Sequence, residues 1–172
     1  FKRLQSHPAW GTKNIVSWDV NIQGAREINS TVTANPEVYY FSFVNSNTVL
    51  DSSSGRHIPN NTMSFIIRSN ARLMGMKKAY FEDGTSTDST WFENDGIVNK
   101  KSMYGPTTGL NGADPITNYS EDEILIPGQW YAMNGLKMDH RRMVGHGAKE
   151  KDYKLLMEKY ITHLKLIQSL PK

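Results

Sequence analysis

The apolar residues of the chain fall into runs and periods that predict a few clear elements. Residues 38–44, VYYFSFV, are almost continuously apolar, which is typical of a strand buried on both faces of a parallel sheet. Residues 128–133, GQWYAM, predict a second short strand. Residues 148–170 predict a long helix that lays one face on the sheet, since apolar residues recur at helical spacing at Tyr153, Leu156, Met157, Tyr160, Ile161, Leu164 and Ile167.

Shorter elements are predicted between these three. Residues 21–32 favour a helix with an apolar stripe of Ala25, Ile28 and Val32, and residues 65–76 favour another. The side expected to be apolar in this second helix holds Phe65, Ile66, Ser69, Leu73 and Met76. Residues 45–64, 82–90 and 100–127 are rich in Ser, Asn, Gly and Pro and are predicted as loops. The alternation of helix and strand predicts an α/β fold, with a mainly parallel sheet flanked by helices.

Composition narrows the possible classes of protein. The 172 residues suffice for about one domain, and 38% hydrophobic content predicts a packed protein. The net charge is only +3, and the basic pairs are scattered, which argues against a nucleic-acid partner. The chain has no cysteine, which excludes disulfides, thiolate metal sites and a cysteine nucleophile.

Two residues are candidates for catalysis, Asp95 and His140. Asp95 lies in an Asn-Asp-Gly turn, and His140 follows the predicted strand 128–133. In open α/β sheets functional side chains usually lie in loops just past strand ends, and we expect both residues there. An acid that orients a histidine base is part of a hydrolytic triad, and the order acid then histidine fits α/β-hydrolases. Taken alone, an aspartate before glycine is more often an ordinary turn former, and a single histidine is more often a surface residue.

The nucleophile that such a pair would activate is not found in these residues. No Gly-x-Ser-x-Gly motif occurs; the nearest stretch, residues 84–88, GTSTD, ends in aspartate and is not flanked by a strand and a helix. Either the chain is the later portion of a longer hydrolase, or the acid and the histidine are not catalytic.

Several motifs in register resemble one family, the bacterial true lipases of the staphylococcal and thermoalkalophilic group. The segment 91–106, which begins WFENDGIVN, resembles the part of these lipases that surrounds the triad aspartate. The resemblance also covers a GxW strand at 128–130, a histidine segment at 138–145, and upstream elements at 7–10, 18–20, 24–29 and 35–40. It runs from about residue 3 to residue 147, and the loops at 45–64 and 106–122 are unmatched.

The resemblance implies an activity and a division of roles. Asp95 would be the triad acid and His140 the base of a triacylglycerol lipase or carboxylesterase that acts on lipid esters at a lipid–water interface. The serine, the oxyanion hole and the lid would lie in an N-terminal part that precedes these residues. Residues 1–172 would then be the C-terminal part of a single α/β-hydrolase domain. The resemblance also implies a secreted enzyme.

The resemblance further bears on two metal sites. Thermoalkalophilic members hold a structural zinc, and Asp19 stands where one of its aspartate ligands would be; a buried acid that caps the following helix is the alternative. The family's calcium site uses an acidic side chain two residues after the triad histidine, where this chain has Arg142. Since an arginine cannot ligate a cation, we expect the calcium site to be lost, with Arg142 paired to a nearby carboxylate instead.

Two other classes of function stay open at the level of sequence. A binding or structural derivative could keep the lipase fold without its nucleophile. A peripheral membrane or nucleic-acid binder would need a contiguous basic face and would bind with steep salt dependence.

Overall fold

The computed structural model describes residues 12–13, 18, 21–106 and 116–171. In chain order its helices and strands are α1 (Ile22–Asn29), β1 (Tyr40–Val44), β2 (Thr48–Asp51), β3 (Arg56–Pro59), α2 (Arg68–Met74), β4 (Ile116–Asn118), β5 (Trp130–Asn134), α3 (His140–Met143) and α4 (Glu150–Ser169). Single 3-10 turns lie at Phe65–Ile67, Ser89–Trp91 and Lys100–Tyr104. Within the described ranges no helix is both long and apolar enough to cross a membrane.

A parallel three-stranded sheet forms the centre of the fold. Its strand order is β1-β5-β4, and both neighbours run parallel to β5. The β1–β5 register pairs Tyr40 with Trp130 and Phe41 with Tyr131, whose rings stack at 4.7 and 5.6 Å between centroids. Tyr131 on the central strand β5 is fully buried. The predicted α/β class with a parallel sheet and helices is confirmed.

Helix α4 packs across β1 through a histidine rather than through the predicted apolar stripe alone. The His163 ring contacts Phe41 and Phe43 edge-on, at 5.0 and 5.1 Å between centroids. Leu156 is buried in a cluster with Met138 and Met143. The prediction that the apolar stripe faces the sheet is wrong for Tyr153, Ile161, Leu164 and Ile167, which are exposed. The described part of the chain leaves these four side chains about half exposed.

Burial of His163 leads to an expected pH dependence of stability. Burial, and next the Lys159 charge, lower the pKa of His163 below its ordinary 6.5, and its Nδ1 is buried without a hydrogen-bond partner. Below pH 6.5 the unfolded chain therefore binds a proton at His163 more readily than the folded chain does. The free energy of unfolding consequently falls as the pH falls. Urea unfolding at pH 8 and pH 5.5 should show this drop, and His163→Leu should reduce it. The exposed His146→Gln is the control; an undiminished drop in His163→Leu would contradict the assignment.

Residues 45–64, predicted as a loop, contain a β-hairpin. Strands β2 and β3 pair antiparallel, from Thr48–Pro59 to Asp51–Arg56. The hairpin turn ends at Gly55, whose φ of +67° lies in the region that favours glycine. Each strand has only four residues and polar neighbours, so alternation is too short to reveal them. Strand β4 was missed for the same reason in the predicted loop 100–127.

The predicted apolar faces of the two shorter helices are also wrong in part. In the segment at α2 the core is formed by Met63, Ile67 and Ala71, while Phe65 is 86% exposed and Ile66 is exposed too. Helix α1 ends at Asn29, and its buried residue is Gly24 rather than Ile28. The 3-10 turn before α2 rotates the chain relative to one continuous helix, so helical spacing assigned the wrong side.

Candidate active site

Asp95 lies in a tight turn. We had expected it directly after a strand, and this prediction is wrong. Its backbone N–H donates to the carbonyl of Val98, and a bridge between Asn94 and Asn99 closes the turn. Gly96 has φ +98°, and a Cβ there would lie 2.7 Å from Cδ1 of Ile67, so glycine is required. The N–H groups of Ile97 and Val98 donate to Asp95 Oδ1 at 3.0 and 2.8 Å. This leaves Oδ2 available for another partner.

The turn is fastened to the segment that follows β1. Asn94 is fully buried, and its side chain donates to the carbonyls of Ala71 and Phe92 while accepting from the N–H of Gly96. Its carbonyl accepts from the N–H of Asn47 at 3.0 Å, and its N–H donates to Thr48 Oγ1 at 3.1 Å. The acid therefore reaches the carboxyl end of β1 through tertiary contacts, although it is distant from β1 in sequence.

His140 is the first residue of α3, in the connection that leaves β5. Asp139 caps this short helix, since its Oδ1 accepts from the N–H groups of Arg141 and Arg142 at 3.1 and 3.2 Å. Oδ2 of the same carboxylate accepts from the N–H of Ser64 at 2.8 Å. Asp139 is fully buried and thereby fixes the start of α3 against the segment that leads into α2.

The two predicted site residues lie together. His140 Nδ1 is 2.9 Å from Asp95 Oδ2, and the backbone N–H of His140 donates to the Asp95 carbonyl at 3.0 Å. The side chain of Asp95 is 2% exposed and that of His140 is 44% exposed. A buried carboxylate that accepts from Nδ1–H holds the imidazole in the tautomer whose Nε2 can accept a proton. The pair is thus built to present one basic nitrogen to the surface.

Comparison with known proteins gives matches to lipases. No protein-family model matches the chain. A lipase of Staphylococcus hyicus is 26% identical over 148 residues, which are 86% of this chain and 21% of that protein. Among solved structures, EstA from Clostridium botulinum superposes with a TM-score of 0.77 and 33% identity, over 92% of this chain and 37% of that one. The chain is therefore similar to a staphylococcal lipase in sequence and fold.

Two solved structures of lipases also have a fold similar to that of this chain. The Staphylococcus hyicus lipase gives a TM-score of 0.72 at 22% identity, over 98% of this chain and 42% of that one. Lipase 1 from Pelosinus fermentans gives 0.68 at 29% identity, over 92% and 42%. The predicted resemblance to staphylococcal-type lipases is confirmed as a similarity in sequence and fold. The chain spans less than half the length of these relatives.

The structure describes only some of the residues of the two metal sites that the lipase resemblance bears on. Asp19, the predicted zinc ligand, lies outside the described residues. The described part of the chain contains no group of three or more acidic or histidine side chains suited to a metal ion. Arg142 lies between the carboxylates of Asp139 and Asp152, at 3.6 and 3.7 Å. The loss of the calcium site and the binding of zinc both stay predictions.

The residues that support the pair were not found from the sequence. Asn94, Thr48 and Asp139 hold the acid and the histidine in place, yet none carries a charge pattern or spacing typical of catalysis. The signal for Asp139 was local, because an aspartate immediately before a short helical segment is a common N-cap. The signal for Asn94 was its place in the Asn-Asp-Gly turn, where asparagine side chains often bond nearby backbone groups.

Proposed function

We propose that these residues supply the acid and the base of a serine hydrolase that cleaves carboxylic esters of lipids. The observation that carries the proposal is the contact of 2.9 Å between the buried Asp95 carboxylate and Nδ1 of the half-exposed His140. The relationship to the lipases supports lipid esters, such as triacylglycerols, as the substrate class.

The proposed roles follow from how a histidine base works. Nε2 of His140 takes the proton of a serine hydroxyl as that oxygen attacks the ester carbonyl, and then gives the proton to the leaving alcohol. In the second half of the cycle the same nitrogen activates water, which hydrolyses the acyl-enzyme. Asp95 stabilises the imidazolium that forms in each step and holds the ring in position.

We further propose that a preceding part of the same enzyme supplies the serine and completes the domain. Within the described residues β1 pairs only with β5, so its other edge is open. The exposed Ile167 of α4 lines a groove together with the exposed Val38 and with Phe41 of β1. An open strand edge beside exposed apolar side chains favours association with a further layer of structure. Residues 1–172 would then be the C-terminal part of one α/β-hydrolase domain. Secretion and action at a lipid–water interface stay predictions from the resemblance.

Covalent labelling of the intact source protein tests the proposal. A fluorophosphonate probe should react with one serine outside residues 1–172, and a short-chain ester substrate should slow the labelling. Heat-denatured protein is the control, because labelling of an activated serine requires the folded site. If the intact protein stays unlabelled under conditions that label a known serine hydrolase, the chain is a non-catalytic derivative of the lipase fold.

A further inference from the structure

Arg142 occupies an unusual position close to the acid–histidine pair. It lies two residues after His140 on α3, and its side chain is 16% exposed. Nε is 3.6 Å from Asp139 Oδ2, and Nη1 is 3.7 Å from Asp152 Oδ2 on α4. Nε is buried and has no hydrogen-bond partner. The guanidinium thus faces two carboxylates on different helical segments, within the range of ion pairs.

The two carboxylates give this guanidinium a structural task. Asp139 is fully buried, and a buried carboxylate is costly unless a cation and hydrogen bonds compensate its charge. Three backbone N–H groups supply the hydrogen bonds, and Arg142 supplies the cation. Asp152 belongs to the first turn of α4, so the same cation connects α3 to α4.

We propose that Arg142 is a positioning residue for His140, an inference that rests on the proposed function. Its guanidinium fixes the short helix that starts at His140 by holding it against the first turn of α4. Because the backbone N–H and Nδ1 of His140 both contact Asp95, a shift of α3 moves the ring relative to its acid. A planar guanidinium can face two carboxylates at once, whereas the single ammonium of a lysine cannot reach both in the same way.

The test uses the intact enzyme and the variants Arg142→Gln, Arg142→Lys and Asp152→Asn. On a soluble short-chain ester Arg142→Gln should lower kcat by about 10- to 100-fold with little change in KM, since small displacements of a catalytic group cost rates of this order. Arg142→Lys should recover part of the loss, and Asp152→Asn should lower kcat by a smaller factor. Lys137 is exposed and lines one groove together with Arg142, so Lys137→Gln is the matched control and should leave kcat unchanged.

A second measurement keeps the inference separate from the proposed activity. The ring 15N resonances of His140 should move in Arg142→Gln and stay in place in Lys137→Gln, whether or not the enzyme hydrolyses esters. An inactive wild-type enzyme with moved resonances would overturn the proposed function and support the positioning role. Unmoved resonances and an unchanged kcat in Arg142→Gln would overturn the positioning role. If Arg142→Gln does not fold, Asp152→Asn decides, and an unchanged kcat and ring signal there overturn it.

Discussion

Replacing Asp95 by asparagine in the intact enzyme should lower kcat by about 10⁴-fold with the fold retained. The amide has nearly the shape of the carboxylate, so the bonds from Ile97 and Val98 to Oδ1 can persist. An amide nitrogen placed at the Oδ2 position donates rather than accepts, and it would hold His140 in the tautomer whose Nε2 carries the proton. Because Nε2 of His140 then carries a proton already, it can no longer accept the proton of the nucleophile. The measurement is steady-state hydrolysis of a soluble ester, together with circular dichroism to verify folding.

The aspartate Asp88 is the control that shows whether the loss of kcat is specific to Asp95. Asp88 also accepts a backbone hydrogen bond, from the N–H of Thr90, but it is exposed and caps a 3-10 turn. Asp88→Asn should leave kcat unchanged. His140→Gln should be at least as inactive as Asp95→Asn, and the double variant should lose little more, because residues that act as a unit are not additive. A folded Asp95→Asn enzyme with wild-type turnover would refute the catalytic assignment.

Replacing Asn94 by alanine should lower the free energy of unfolding by roughly 3 kcal/mol. The side chain is fully buried and makes three hydrogen bonds, to the carbonyls of Ala71 and Phe92 and from the N–H of Gly96. Alanine leaves these backbone groups without that partner and opens a cavity in the turn. Urea unfolding followed by tryptophan fluorescence measures the change.

The control for this variant is an asparagine that the fold leaves exposed. Asn61→Ala removes the same atoms at an exposed position, and we expect a change within about 0.5 kcal/mol. Since Asn94 also shapes the turn that carries Asp95, its alanine variant should lose turnover at temperatures where it is still folded. Equal stability of the two alanine variants would show that the buried amide is dispensable.

The parallel sheet could be predicted from hydrophobic patterns, and the pair of Asp95 and His140 could be predicted from sequence motifs. The continuous apolar run at β1 matches a strand of a parallel sheet, and the spacing in α4 marks a long helix. Asp95 and His140 were identified through motifs in register, since composition and periodicity leave an Asn-Asp-Gly turn and a lone histidine ambiguous. Only tertiary structure shows that the acid reaches the end of β1 through Asn47 and Thr48.

The errors arose where local periodicity does not determine burial. Phe65 and Ile66 fit an apolar helical face, yet the 3-10 turn before α2 places Ile67 and Ala71 in the core instead. His163 is not part of the predicted apolar stripe of α4, yet its imidazole ring contacts two phenylalanine rings of β1. Both outcomes depend on how neighbouring elements are arranged, which spacing along one segment cannot reveal.

The bonds that join the acid, the histidine and the end of β1 all connect segments far apart along the chain. His140 binds a carboxylate 45 residues earlier, and the N–H of Leu136 donates to Asn45, 91 residues earlier. During synthesis the acid leaves the ribosome well before its histidine does. A nascent chain that has exposed only the Asp95 turn therefore has no base, and the pair arises only after α3 has emerged.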